Sequence, residues 1–116
     1  MFKIKRVYEA PHPDDGMRVL VDRLWPRGLS KTRAKADLWL REVAPSDAVR
    51  TRFGHDPQRW AAFRRTYQAE LREQVALLRT LRGLERKHGT VTLLYAASDT
   101  TRNNAVVLAA LLARRR

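Results

Sequence analysis

Hydrophobic and polar positions divide the chain into short apolar runs and longer segments with helical spacing. Residues 2–5 alternate apolar and basic side chains, which predicts a strand with one solvated face. Residues 18–21 and 91–97 are more continuously apolar, as expected for strands of a parallel sheet that is covered on both faces. Residues 37–43 are interpreted as a further short strand, with a helical turn as the alternative.

Helical periodicity is clearest after Asp56 and Pro57, an N-cap residue followed by proline at the first helical position. Apolar residues then recur at spacings of three and four, which predicts one amphipathic helix of about 25 residues. They are Trp60, Phe63, Tyr67, Leu71, Val75, Leu78 and Leu81. Shorter helices are predicted over residues 31–35 and 47–53, each after a serine that can act as N-cap.

The last predicted helix begins after a cap at Asp99 or Thr100 and has a broad apolar face over residues 105–112. Strands that alternate with helices favour a small three-layer α/β domain, in which helices flank a mostly parallel sheet of about four strands. No linker or internal repeat interrupts the sequence. We therefore expect residues 1–116 to form one domain.

Composition excludes several classes of protein and site. The chain has no cysteine, so disulfides, thiolate zinc sites and cysteine nucleophiles are excluded. No apolar run approaches the ~18 residues that a membrane-spanning helix needs, and the first residues lack the hydrophobic region of a signal peptide. The three histidines are scattered without the spacing of metal ligands, so no metal site is predicted. These features favour a soluble, cytoplasmic protein.

Charge adds a hypothesis about partners. The 24 lysines and arginines outnumber the 12 acidic residues and give a net charge of +12, which attracts polyanions such as nucleic acid. The basic residues are spread along the chain, however, and Arg114–Arg116 is the one dense basic segment. Because an arginine-rich codon usage would produce the same excess, a nucleic-acid partner is an alternative and not a conclusion.

Candidate chemistry lies where two predicted strands end. Asp22 and Arg23 follow the apolar run 19–21, and Ser98 and Asp99 follow the run 91–97. In open parallel sheets, ligands bind beyond the carboxyl ends of the strands, so these residues are expected to share one site. A helix that starts beside Asp99 would add free N–H groups suited to a phosphate or carboxylate.

Roles for the candidates follow from their chemistry. Asp22 and Asp99 can act as general acid or base, or bind sugar hydroxyls, and His55 is a further proton-transfer candidate. Arginines can clamp an anion through two hydrogen bonds, and a tryptophan can stack on a planar ligand. The ligand-binding candidates are Arg23, Trp25, Arg27, Gly28, Ser98 and Asn103. The structural alternatives are an Asp22–Arg23 ion pair that fixes a loop and a capping role for Asp99.

The chain resembles the YeaO-like proteins of the domain-of-unknown-function 488 (DUF488) family over nearly its whole length. The resemblance rests on segments 18–28, 37–39, 44–46, 53–56 and 91–97, together with Trp60, Phe63, Tyr67, Asp99, Asn103, Asn104 and Ala105. It implies a small bacterial or archaeal cytoplasmic α/β protein, and no established activity, substrate or cofactor. Ser98 departs from the lysine that many relatives carry there, which puts an anion-binding role of that position in doubt.

Three hypotheses of function remain at this point. The first is a site for a small anionic ligand, nucleotide-like or a phosphometabolite, with hydrolysis or transfer as the candidate reaction. The second is a nucleic-acid-binding module that uses the arginine-rich helix surface and the Arg114–Arg116 tail. The third is a homodimer in which the apolar face of the last helix, residues 105–112, pairs with a second copy.

Overall fold

Four parallel strands form the sheet at the centre of the protein. A computed structural model describes residues 1–114. Its strands are β1 (Phe2–Arg6), β2 (Met17–Leu20), β3 (Leu38–Trp39) and β4 (Val91–Tyr95), and its helices are α1 (Lys31–Ala34), α2 (Asp47–Phe53), α3 (Trp60–Arg72), α4 (Val75–His88) and α5 (Asn104–Ala113). The strand order is β1-β4-β2-β3, with every pairing parallel. The predicted α/β fold with a parallel sheet of four strands is confirmed.

The central strand β4 explains why the run 91–95 is continuously apolar. All five of its residues are buried, because β1 and β2 pair with its two edges and both of its faces are covered. Val91, Leu93 and Tyr95 point into the larger core, to which α2, α3, α4 and α5 all contribute side chains. Leu94 points to the opposite face.

The second face of the sheet is covered by α1 and by loops. Leu20 and Leu94 form a small core there with Val7 and Ala34. Trp25 and Trp39 close it, with their rings in an edge-to-face arrangement and their centroids 5.4 Å apart. The helices α2 to α5 thus pack on one face of the sheet, whereas α1, loops and two tryptophans cover the other.

The predicted long helix is in fact two helices, which separate at Gln74. This residue is non-helical (φ −95°, ψ 52°), and its side-chain amide donates to the carbonyl of Glu42 at 3.1 Å. The apolar spacing continues through the break and therefore conceals it, although Val75 is 56% exposed. The change of direction allows α4 to bury Leu78 and Leu81 against β2 and β4.

Residues 37–43 contain both of the predicted alternatives. The strand is limited to Leu38–Trp39, and a single 3-10 turn follows over Arg41–Val43. Asp56 acts as an N-cap, as predicted, but it caps a 3-10 turn over Pro57–Arg59 that leads directly into α3. The start signal was therefore correct, and the first turn is tighter than an α-helix.

The apolar face of α5 is buried within the chain. Ala105, Val107, Leu108 and Leu112 belong to the larger core, and α5 packs on β1, β4 and α3. The homodimer hypothesis was based on this face, so it loses its support from the sequence, and dimerisation stays a prediction. Among the described helices, none has the length and apolarity needed to cross a bilayer. Of the basic tail, Arg115 and Arg116 lie outside the described residues.

A buried charged cluster ties the second face together. The carboxylate of Asp15 accepts hydrogen bonds from Lys5 Nζ at 3.0 Å and from the guanidinium of Arg18. Arg18 also donates to the carbonyls of Ala34 and Lys35, at 2.7 and 2.9 Å. Burial raises the pKa of Asp15, but hydrogen bonds from a backbone N–H, Lys5 and Arg18 outweigh it, and the pKa lies below its usual value.

Replacing Asp15 should therefore destabilise the fold strongly. We expect Asp15→Asn to lower the free energy of unfolding by about 3–5 kcal/mol, because it leaves the buried Arg18 and the half-buried Lys5 without their carboxylate. Asp14→Asn is the matched control, since the side chain of Asp14 is 78% exposed, and its effect should stay within about 0.5 kcal/mol. Urea denaturation of both variants measures the difference.

The effect of Asp15→Asn should also depend on pH. The pKa of Asp15 is lower in the folded chain than in the unfolded chain. Its stabilising contribution is therefore fully present above the unfolded value, about pH 4, and is lost as pH falls through the folded value. The difference in the free energy of unfolding between the wild type and Asp15→Asn should become smaller below about pH 4. Equal stability of the two proteins at neutral pH would contradict this account.

Candidate functional site

A cavity of about 440 Å³ opens at the carboxyl edge of the sheet. Segments that follow three of the strands line it: Tyr8 after β1, Asp22 after β2 and Ala96 after β4. Phe53 at the end of α2 and Phe63 in α3 add an aromatic wall. Because the strands are parallel, their carboxyl ends meet at one edge, where the sequence predicted a site.

Asp22 connects the segments around this cavity. Its Oδ2 accepts a hydrogen bond from the Ala96 N–H at 2.9 Å, and its Oδ1 accepts one from Asn104 Nδ2 at 3.0 Å. Asn104 also donates to the carbonyl of Val21, at 3.0 Å. Burial raises the pKa of Asp22, and the two hydrogen bonds together with nearby His55 oppose that rise. The carboxylate is therefore partly desolvated and held in one orientation.

Arg23 lines the cavity but is bound to the backbone. Its Nε donates to the carbonyl of Pro45 and its Nη2 to the carbonyl of Ala44, both at 3.1 Å. Within residues 1–114 it forms no ion pair with Asp22, so the alternative of an Asp22–Arg23 ion pair is wrong. Arg23 fixes the segment before α2 and adds positive charge to one wall.

Two exposed arginines also line the cavity. The side chain of Arg27 makes no hydrogen bond or ion pair within the part of the chain that the structure describes, and its carbonyl accepts a hydrogen bond from Tyr8 Oη at 2.8 Å. Arg50 pairs with Asp47 at 3.2 Å. Three guanidinium groups and one carboxylate thus line the cavity, an excess of two positive charges when His55 is neutral.

His55 and Trp25 differ in how they are held. His55 is exposed and has left-handed backbone, with φ of 58°, directly after Gly54, with φ of 54°. Such a conformation is unfavourable for a residue with a Cβ atom, and strain of this kind concentrates at functional sites. Trp25 is half-buried, and its Nε1 donates to the carbonyl of Leu29 at 2.6 Å. Trp25 is therefore a fixed part of the wall.

Asp99, Ser98 and Gly28 do not line the cavity. The carboxylate of Asp99 accepts hydrogen bonds from the N–H groups of Thr101 and Arg102, both at 3.0 Å, and these lower its pKa to about 2. Asp99 thus stabilises the turn to which it belongs, and it does not face Asp22 across the cavity. Gly28 has φ of 73°, which accounts for glycine in the loop after β2.

The predicted cap of the last helix is wrong. Asn103, and not Asp99 or Thr100, caps α5, where its side chain accepts a hydrogen bond from the Val106 N–H at 3.0 Å. Asn103 lines the cavity but is buried and occupied as a cap, so it does not present a free amide. The side chain that reaches Asp22 is that of Asn104, the next residue.

Sequence reasoning missed part of the lining. Tyr8, Arg50, Phe53, Phe63 and Asn104 were not site candidates, although all five line the cavity. Each of the two phenylalanines lies in a predicted helix, where an apolar residue is usually part of the core. A usable signal was the pair of asparagines directly before a strongly apolar helix, because polar residues there cap the helix or reach a neighbouring strand end.

Comparison with known proteins identifies the family. Residues 1–116 match a family model described as the inactive DUF488-N3 subclade. The chain is 44% identical over 105 residues to the uncharacterised protein YeaO of Escherichia coli, covering 90% of each chain. It is 43% identical over 112 residues to an uncharacterised protein of Mycobacterium tuberculosis, covering 95% of this chain and 92% of the relative. No solved structure gives a significant match. The resemblance to YeaO-like proteins is confirmed, and the chain belongs to the inactive DUF488-N3 subclade.

Proposed function

We propose that the chain binds a small anionic ligand, a nucleotide or a phosphometabolite, in the cavity at the carboxyl edge of the sheet. The observation that carries the proposal is the placement of three guanidinium groups and one half-buried carboxylate around a single hollow of about 440 Å³. That volume lies within the roughly 300–1,000 Å³ of small-molecule sites. The excess positive charge attracts an anion, and the carboxylate orients it.

Arg27 is the side chain best suited to meet the anion. Arg23 already donates to two backbone carbonyls, and Arg50 pairs with Asp47. The guanidinium of Arg27 has no partner within residues 1–114, so its donors are available to a phosphate or carboxylate without breaking a contact. Two parallel N–H donors in a fixed fork match such a group.

The aromatic wall favours a ligand with a planar part. The rings of Phe53 and Phe63 stack with centroids 4.4 Å apart and an interplanar angle of 23°. Both rings line the cavity. Tyr8 and Leu24, which are 42% and 61% exposed, also line it and extend its apolar surface. A heterocycle bound here would cover the exposed apolar surface of Tyr8 and Leu24 beside the two phenylalanines, which are themselves buried.

Binding without turnover is supported by the state of the polar groups. Both oxygens of Asp22 already accept hydrogen bonds from the protein, and Arg23 is committed to the backbone. No serine, threonine, cysteine or lysine is among the described residues that line the cavity, so the nucleophiles that these four residue types supply are missing. The description of the subclade as inactive agrees with this. Hydrolysis or transfer with Asp22 and His55 as acid and base is the competing hypothesis.

Removing Arg27 should weaken ligand binding selectively. We expect nucleoside 5′-monophosphates or sugar phosphates to raise the melting temperature of the wild type, and Arg27→Ala to weaken their binding about tenfold, because a charge-assisted contact is lost. Arg33→Ala is the matched control: Arg33 is an exposed arginine of α1, away from the cavity. Differential scanning fluorimetry followed by calorimetric titration measures both. The proposal fails if no ligand acts, or if both variants respond like the wild type.

A bound ligand should remain chemically unchanged. Incubation of the protein with each ligand that raises the melting temperature should leave its ³¹P NMR spectrum constant over a day. Release of inorganic phosphate, or a new phosphorus resonance, would instead establish hydrolysis or transfer. Loss of that new signal in both Asp22→Asn and His55→Ala would then assign the acid and base.

A second candidate function is nucleic-acid binding, favoured by one observation on the helices. Exposed cations without a carboxylate partner in the described part of the chain line α3 and α4: Arg64, Arg65, Arg72, Arg79, Arg86 and Lys87. Neutralising phosphates with such groups releases counterions and makes the affinity strongly dependent on salt.

Salt dependence tests the nucleic-acid candidate. If the helices contact phosphates, the double variant Arg64→Ala, Arg72→Ala should flatten the slope of log affinity against log salt by about two, close to one per lost contact. The double variant Lys31→Ala, Lys35→Ala serves as control, because both lysines lie at α1 on the second face of the sheet. Fluorescence anisotropy with labelled DNA and RNA measures the slopes. No binding at 50 mM salt would exclude this function.

A further inference from the structure

We propose that Asp22 recognises two adjacent N–H donors on the edge of a ligand heterocycle, the pattern that a guanine ring presents through its ring N–H and its exocyclic amino group. The heterocycle would lie along the Phe53–Phe63 wall, with the anionic group of the ligand at Arg27. This inference rests on the proposed function and adds the chemical class of the ligand.

The acceptor positions of Asp22 favour a ligand that has two adjacent hydrogen-bond donors. An ionised carboxylate has two oxygens with about four acceptor positions. One position of Oδ2 is taken by the Ala96 N–H and one of Oδ1 by Asn104 Nδ2. Asp22 lines the cavity, and about two of its acceptor positions remain for a ligand there. Two parallel acceptors are best satisfied by two parallel donors, as in carboxylate–guanidinium pairs.

The charges orient the ligand. An anionic group at Asp22 would meet a like charge in a partly desolvated place, which is unfavourable. The exposed guanidinium of Arg27 attracts the same group. The ligand must therefore be polarised, with donors at one end and its negative charge at the other. Inorganic phosphate or a simple dicarboxylate lacks the donor end.

The aromatic wall lies on the same side as the carboxylate. Tyr67 follows Phe63 by one turn of α3, and burial and then the charge of Asp22 raise the pKa of its hydroxyl. Asp22 and Phe63 line the same cavity, which places the carboxylate near the part of α3 that carries the wall. A planar ring can lie along Phe63 and turn its polar edge towards Asp22.

Among the common nucleobases, guanine alone presents two neighbouring N–H donors from its ring and its amino group. Hypoxanthine has the ring N–H without the amino group, and adenine and cytosine place a ring acceptor beside theirs. Uracil flanks its N–H with carbonyls, which a carboxylate repels. A pterin has the same donor pair as guanine and is a second source of this chemistry.

Calorimetric titration of the wild type tests the inference without any variant. We expect GMP to bind at least about tenfold more tightly than IMP, since the two differ in one amino group that donates to a charged acceptor. 2′-Deoxy-GMP should bind like GMP. Tighter binding of pterin-6-carboxylate than of GMP would support the same edge and identify a pterin as its source.

Two variants assign the preference to Asp22. Asp22→Asn should bind GMP and IMP equally, because an amide replaces one acceptor with a donor. Asp47→Asn removes one carboxylate outside the cavity and should keep the preference for GMP. Circular dichroism establishes that both variants are folded; if Asp22→Asn is not, the comparison of GMP with IMP on the wild type decides.

The remaining outcomes separate the two proposals. Equal affinities of GMP and IMP would overturn the donor-pair inference, and so would a preference for ribose over deoxyribose, because the carboxylate would then bind the sugar. Binding of sugar phosphates or other anions without any nucleotide or pterin would overturn it as well and leave the anionic-ligand proposal standing. Failure of every anion to bind would remove both.

Discussion

The hydrogen bonds to the carboxylate of Asp22 are the constraint on which the cavity depends. They join three pieces of chain that the sequence keeps far apart: the end of β2, the Ala96 N–H after β4 and Asn104 at the start of α5. Asn104 completes the connection by donating to the carbonyl of Val21. These contacts give two loops and a helix start a common point of attachment, and so they help to fix the shape of the hollow between them.

This constraint has an energetic cost that the rest of the structure offsets. Desolvation raises the pKa of Asp22, so the ionised form is disfavoured where it is placed. Asp15 is the informative contrast, because its hydrogen bonds outweigh burial and its pKa falls below the usual value. The fold satisfies Asp15 with two cations and leaves Asp22 with neutral donors. Among the described residues Asp22 has no ion-pair partner, and it lies at the edge of the cavity. A hydrogen bond donated by a ligand would therefore stabilise its ionised form.

The sequence predicted the parts of the fold that depend on local pattern. The apolar run of β4, the Asp56–Pro57 signal and the strand-end rule led correctly to a parallel sheet and to Asp22 at its carboxyl edge. The break at Gln74 was invisible because the apolar spacing passes through it. The Asp15 cluster was missed since its members meet only after the strands pair.

The error at the start of α5 has the same origin. Asp99 and Asn103 are both good caps, and local preference cannot choose between them. The structure uses Asp99 to fold the turn before the helix and Asn103 to cap it, which moves the helix start to Asn104. A shift of a few residues changes which side chain reaches Asp22. The contact between Asp22 and Asn104, which are 82 residues apart in the sequence, therefore determines which side chains form the site. Local capping preference does not determine it.

The way the polar groups are held also bears on the proposal that this cavity binds a ligand without turnover. A catalyst gains rate from interactions that become stronger in the transition state, and a proton-transfer group must exchange partners during the reaction. Asp22 and Arg23 instead have protein partners that define the shape of the site, and moving either would loosen a strand end or the segment before α2. Fixed acceptors and a fixed aromatic wall discriminate well between ligands that differ in one donor, because a misplaced group remains unpaired. Under the proposed function, selectivity and lack of turnover would therefore follow from the same set of hydrogen bonds.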